Sequence, residues 1–459
     1  MILNSEQLYG FDILKTGRNV FITGGAGVGK SSLLNYFINW VNKNTSKNMM
    51  ITAPTGIAAS NIGGVTLSRA FEIPFGALTY RKKEYSPSDE LINTDILIID
   101  EISMCRIDTF EFISNKILDA NNIRKNYGKP RIQVIVVGDF FQLPPVMTER
   151  DKAVLDKYYK TDVGLGFAFQ SIFWGFYEFY NITLTQVMRQ DNKEFIENLN
   201  LIRTGNKAYI DELVKLSDKR VQDAITICGL NSEANDINLK ELDKLTSQKI
   251  VYKAEYTGDA HSGETIADDE LYVKLGAQVM CTANQPVHKG EIPAYFNGMR
   301  GTIVGLYSDA IIIRTESGID IPIQRFEWEV YNYELIKDEA GNDIIVKKIV
   351  GTVIQFPIKL GYAVTIHKSQ GQTYEKANIS PYCWECGQLY VAISRVRKIE
   401  NIHFNSIPDI HYIVVSLNVI KFYNNLTNNP SKTQSNTVVN DDSNYSDLTS
   451  VLNKLGGKQ

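Results

Sequence analysis

Five cysteines in 459 residues are too few to frame a chain of this length with disulfides, which places it in a reducing compartment. Cys383 and Cys386 have the spacing of a redox pair or of half a zinc site, but no further Cys or His clusters near them, and they read as ordinary thiols. No apolar run reaches the length of a membrane span, and MILNSEQLYG lacks the basic segment and apolar stretch of a secretory leader, so a cytoplasmic protein is expected. Charge of one sign is also missing: 48 Lys and Arg stand against 52 Asp and Glu, a net −4. That excludes a surface coated in basic residues, so any polyanion must be held in a local groove. What the chain has is size and apolar content (44%), enough for more than one core and hence two or more domains.

Residues 19–32, NVFITGGAGVGKSS, organise the rest. An apolar run (20–23) reads as a buried strand, and GGAGVGKS (24–31) fits the phosphate-loop pattern G-x-x-x-x-G-K-[ST]. Glycines let the backbone curl and aim successive N–H groups at phosphate oxygens. Lys30 then reaches the β- and γ-phosphates, Ser31 holds Mg²⁺, and the helix N-terminus adds its own attraction for the anion. Upstream, Gln7 has a donor and an acceptor to offer an adenine edge.

Further apolar runs at 49–53, 95–99 and 133–137 read as buried parallel strands with polar tips, and a last strand at 182–184 completes a nucleotide-binding sheet. Asp100 and Glu101 end the third run, suiting Mg²⁺ coordination and polarisation of a water; Gln142, after the fourth, has the chemistry to touch a γ-phosphate. The aromatic stretch 167–180 predicts a helix docked on the sheet. An amphipathic helix is expected over 192–203, and a second α/β unit opens at 224–229. From about 252 to 348 short alternating strands replace it; the α/β pattern returns at 359–366, followed by a strand at 377–379, a helix at 387–396 and a strand at 411–415. Beyond about Asn424 the composition predicts a mobile tail, with apolar Leu448, Val451, Leu452 and Leu455 spaced for a short docking helix.

The ordered set GGAGVGKS, TAPTGIAASNIGG, IIDEISM, VVGDFFQLPPV, LTQVMRQ, FNGMRGTIV, AVTIHKSQGQT and GQLYVAISRVR resembles superfamily 1B DNA helicases of the petite-integration-frequency (PIF) type. RecD-like enzymes and Dda are more distant relatives. The resemblance implies an α/β fold of two tandem RecA-like P-loop domains. The first covers 1–185, with a wedge insertion at about 66–90; the second covers 186–251 and 349–420, with an SH3-like β insertion at 252–348; residues 421–459 form the tail. It implies ATP and Mg²⁺ as cofactors, and single-stranded and forked DNA as partners of a monomer whose tail is a place for a protein partner. Residue by residue it implies ATP contacts from Gln7, Gly25, Ala26, Gly27, Val28, Gly29, Lys30, Ser31, Ser32 and Gly371, with Ser31 and Asp100 on the metal. Catalysis is carried over to Lys30, Asp100, Glu101 (general base), Gln142 (γ-phosphate sensor) and two arginines reaching across a cleft, Arg189 and Arg395. Thr55, Asn61, Thr365, His367 and Lys368 fall in strand-facing motifs, as does Ser68, where many relatives carry His. The activity implied is ATP-driven 5′-to-3′ tracking on single strands with duplex unwinding. A nucleotide-switched remodelling protein that hydrolyses ATP on DNA without unwinding is the rival reading. A metabolic kinase explains the first sheet alone.

Overall fold

The computed structural model describes residues 3–428, apart from 75, 80–85, 191, 217–220, 222–223, 263–264, 266, 287–293, 296, 298, 316 and 338–342. Among the described residues, no helix is long and apolar enough to cross a membrane.

The apolar runs become strands because both of their faces are covered. β1 (Val20–Gly24), β2 (Met49–Ala53), β3 (Val65–Thr66), β4 (Ile96–Ile99), β5 (Gln133–Val137) and β6 (Tyr180–Leu184) form one parallel sheet in the order β3-β2-β4-β5-β1-β6. Helices Ser5–Lys15 and Lys30–Asn44 cover one face through Phe11, Leu33, Leu34, Phe37 and Val41. Helix Ile107–Asn126 and the aromatic stretch cover the other. Burying each such side chain contributes about 1.5–3 kcal/mol. The expected single docking helix at 167–180 is a 3₁₀ turn (Ala168–Gln170), a short helix (Ile172–Phe176) and the start of β6, with Phe167, Phe173, Tyr177 and Phe179 in the core.

A second, smaller parallel sheet runs in the order Ala363–Thr365, Ile225–Cys228, Ala377–Ile379, Ile402–Phe404. Helices Lys193–Arg203 and Gln388–Ile393 share its core through Phe195, Leu199, Leu389 and Val391. Between its first two strands in sequence lies a β region running from Ile250 to Leu360, entirely antiparallel. Its long hairpin, Phe326–Lys337 with Asp343–Gln355, reaches the helices Leu67–Phe71 and Asp89–Asn93 of the first unit.

Three expectations need correction. The α/β pattern does not return at Lys359, because Ile358–Leu360 pairs antiparallel with Gln278–Cys281 inside the β region. Residues 411–415 are not a strand: Asp409 caps a 3₁₀ turn at Ile410–Tyr412, and the fourth parallel strand is Ile402–Phe404. The run is apolar because it links two cores, with Ile413 packed in the second and Val415 against the first. Nor does mobile chain begin at 421, since Leu417–Asn428 is a helix seated on the first core by Val419, Ile420, Phe422, Tyr423 and Leu426. The rest of the expected tail, with Leu448 to Leu455, lies outside the described residues.

Candidate functional site

The glycine loop between β1 and the helix Lys30–Asn44 is built where a Cβ cannot go. Gly27 has φ +78° and an added Cβ would stand 2.6 Å from Arg189 Cβ; Gly29 has φ +84° and would meet Gln7 Nε2 at 2.4 Å. Lys30 Nζ folds back to donate to the carbonyls of Gly24 (2.8 Å) and Gly25 (3.0 Å). Burial lowers its pKa against the attraction of Asp139, Glu101 and Asp100. Gln7 is almost fully buried: its Oε1 accepts from Asn4 N–H at 3.0 Å and its Nε2 donates to Gly29 O at 3.1 Å. The second N–H of its amide faces Met188 Sδ at 3.9 Å, a weak acceptor that a better one can replace, and the second acceptor position of Oε1 remains for a ligand. Ser32 follows Ser31 in the first turn of the loop helix.

Asp100 and Glu101 follow β4. Burial, then the neighbouring Glu101 charge, pushes Asp100 up to about 7, and burial raises Glu101 as well. Glu101 sits in the left-handed region (φ 49°), a conformation that costs a non-glycine residue about 1–2 kcal/mol. Its Oε2 accepts from Gln370 Nε2 of the second unit at 3.0 Å, while Gln370 Oε1 is buried with no hydrogen-bond partner among the described residues. The exposed hydroxyl of Ser31 and the carboxyl of Asp100 line one cavity, an all-oxygen donor set that suits a hard divalent cation.

The second unit closes over the loop. Arg189 Nη1 donates to Ser394 O at 3.1 Å, and Arg395, 2% exposed, spends its guanidinium on the Val391, Ser369 and Gln372 carbonyls and on Ser394 Oγ. Burial, then Arg189, pulls Arg395 down to about 9. Among the described residues no carboxylate within hydrogen-bonding distance balances it, which suits a site for an anion. The Gln142 backbone lies against Gly387, where an added Cβ would stand 2.5 Å from its carbonyl oxygen.

A cavity of about 2330 Å³ runs from Ser31, Asp100 and Glu101 past Thr55, Asn61 and Ser68 to His367, Lys368 and Gly371. Asn61 faces Gly371 so closely that a Cβ there would stand 3.3 Å from Asn61 Nδ2. Asn61, Ser68 and Lys368 are exposed on this wall, and Thr55 is half-buried with its hydroxyl accepting from Ala58 N–H. His367 pairs with Glu385 at 3.7 Å, burial lowering its pKa. Thr365 stands apart: 2% exposed, its hydroxyl caps the turn after it by accepting from Lys368 N–H.

Sequence reasoning passed over a paired ionic hydrogen bond across the cleft. Asp139, fully buried after β5, accepts from Arg203 Nε at 2.9 Å and Nη2 at 2.8 Å. Tyr390 was missed as well: its hydroxyl accepts from Ala26 N–H of the glycine loop at 2.7 Å. Asp139 lies inside GDFFQLPP and Tyr390 inside GQLYVAISRVR, the signals that could have found them.

A family model described as PIF1-like helicase matches residues 2–222. Over 453 residues the chain is 33% identical to an ATP-dependent DNA helicase Pif1 of Campylobacter jejuni, spanning 88% of this chain and 94% of that protein. Among solved structures, Bacteroides sp Pif1 in complex with ADP-AlF4 is 32% identical with a TM-score of 0.78, covering 93% of this chain and 98% of the other. Bacteroides Pif1 bound to ssDNA is 32% identical with a TM-score of 0.64 over the same shares.

Proposed function

The chain belongs to the PIF1-like helicase family, and from that premise we propose how its cleft works as the motor of an ATP-dependent DNA helicase tracking 5′ to 3′ on single strands. The observation that carries the reading is the meeting of two parallel-sheet units over one glycine loop, with Glu101 bonded to Gln370 and with Arg189 and Arg395 alongside.

The loop amides and Lys30 hold the triphosphate, Gln7 reads the adenine edge, and Gly371 closes the pocket from the second unit. Ser31 and Asp100 would hold Mg²⁺, which would supply positive charge against the triphosphate. Glu101, its pKa raised by burial, takes a proton from the attacking water. The partnerless Gln370 Oε1 beside it is an acceptor that such a water satisfies. Arg189 and Arg395 stabilise charge on the transferring phosphoryl group, an effect worth about 10³–10⁵ in rate for arginines so placed. Gln142 senses the γ-phosphate. Because these groups belong to two units, each turnover requires closure and each product release an opening; that relative movement advances the strand. The strand lies in the long cavity against Thr55, Asn61, Ser68, His367 and Lys368, with Thr365 shaping the wall from beneath. The antiparallel region acts as an SH3-like cover, and the segment at about 66–90 as the wedge that parts a fork. A monomer suffices for this cycle.

Lys30→Ala is expected to abolish DNA-stimulated ATP hydrolysis with the melting temperature retained; persistent hydrolysis refutes the assignment. On forked duplexes with a single tail, strand displacement should need the 5′ tail and ATP. Displacement from the 3′ tail alone overturns the polarity, and hydrolysis without displacement favours a remodelling ATPase.

A further inference from the structure

The helix Leu417–Asn428 is chain that leaves the second sheet at Phe404 and returns across the cleft to the first. Most of its buried face is ordinary packing. Val419 is 1% exposed, and Phe422 stacks on Phe169 at 4.4 Å and meets Phe140 edge-on at 5.4 Å. Tyr423 differs because it carries a hydroxyl into this interface. Its ring lies parallel to Phe141 at 4.8 Å, with the Arg203 guanidinium 5.6 Å from its centroid. The hydroxyl stands 2.7 Å from Thr23 Oγ1, accepts from Phe140 N–H at 3.2 Å and donates to Asp139 Oδ1 at 3.4 Å. It therefore joins the last residue of β1 before the glycine loop, the turn that leads to Gln142, and the carboxylate that holds Arg203 of the opposite unit. A pocket of about 200 Å³ beside the glycine loop has Thr23, Gly25, Arg203, Tyr390 and Tyr423 in its walls.

We propose that Tyr423 is a positioning residue for ATP turnover, its hydroxyl holding the glycine loop and the Gln142 turn in register while the cleft opens and closes. The proposal rests on the reading of Gln142 as sensor and of closure as the stroke. Opening withdraws Arg203 and takes from Asp139 the cation that balances it, a costly change for a carboxylate left with few donors. Two donors of the first unit's own assembly stay behind: the Tyr423 O–H and Phe141 N–H, the latter 3.2 Å from Asp139 Oδ1. With them the Asp139 turn keeps its shape through the open state, and Gln142 re-forms its contact at the next closure. Phenylalanine at 423 would supply all the ring packing, so a hydroxyl buried at a polar junction marks a demand beyond core filling.

Tyr423→Phe removes the hydroxyl and keeps the stack. DNA-stimulated kcat should fall about tenfold, the scale of one hydrogen bond to a charged group, with the KM for ATP within twofold and the melting temperature unchanged. In a Gln142→Ala background the same substitution should add no further loss, because both act through one turn. Phe422→Leu, which loosens the packing of the helix and removes none of the junction's hydrogen bonds, should lower the melting temperature and leave the kcat of folded protein alone. An unchanged kcat in Tyr423→Phe overturns the proposal; so does an equal kcat loss in Phe422→Leu, or losses that multiply in the double variant. A silent Gln142→Ala overturns the sensor reading itself, which separates the two failures.

Discussion

Asp139 is fully buried, and burial by itself raises a carboxyl; the Arg203 guanidinium, its paired hydrogen bonds and Lys30 outweigh that and hold the acid below its ordinary 3.8. A carboxyl depressed in the folded state contributes stability that is whole above the unfolded value and is lost as pH falls through the folded one. Melting temperature should therefore hold through the neutral range and fall below about pH 4, and Asp139→Asn should give a lower but flatter acid limb. Arg203→Ala strands the buried carboxylate and should cost about 3–5 kcal/mol in chemical denaturation, part of it regained when Asp139→Asn is added. Gly27→Ala meets both a left-handed φ and the Arg189 side chain. Nucleotide affinity should drop about tenfold or more, the scale of a 1–2 kcal/mol backbone penalty, as read by equilibrium binding of a fluorescent ATP analogue. The residues legible in the sequence, Lys30, Ser31, Asp100 and Glu101, sit beside strand ends whose apolar runs and turn chemistry are local signals. Arg203 carries no local signal: on its own helix it is one basic residue in the last turn, and only its partner 64 positions away gives it meaning.

At the scale of elements, strands β1, β2, β4, β5 and β6 fell close to where the apolar runs put them, since a strand covered on both faces must be continuously apolar. The same rule misled at 411–415, where an apolar run links two cores without hydrogen bonding into either sheet. Leu417–Asn428 was split by composition, its second half joined to the polar tail, yet Phe422 is held by four aromatic neighbours of the first unit and Tyr423 by hydrogen bonds. Phe422→Ala should therefore destabilise the first unit by about 3 kcal/mol in urea unfolding followed through Trp174 fluorescence. A change confined to the second unit's signal would contradict the docking.

For the whole molecule, a net charge of −4 argues against a basic coat, and on the proposed reading DNA lies in the lined cavity instead. Affinity for single strands should still fall steeply as salt rises, because each phosphate contact releases counterions; a flat dependence in a fluorescence-anisotropy titration would point to stacking alone. By itself the sequence determined the first parallel sheet, the phosphate loop, the carboxylates and the family, because each is written in contiguous residues whose spacing and turn chemistry act over one or two elements. The tertiary structure decided what the loop faces: Tyr390 on its amide, Arg189 and Arg395 at its rim, Arg203 on Asp139, and a returning helix under the Gln142 turn. Those partners lie far apart in the chain, and no local pattern encodes a distance that exists only after two separate cores have packed against each other.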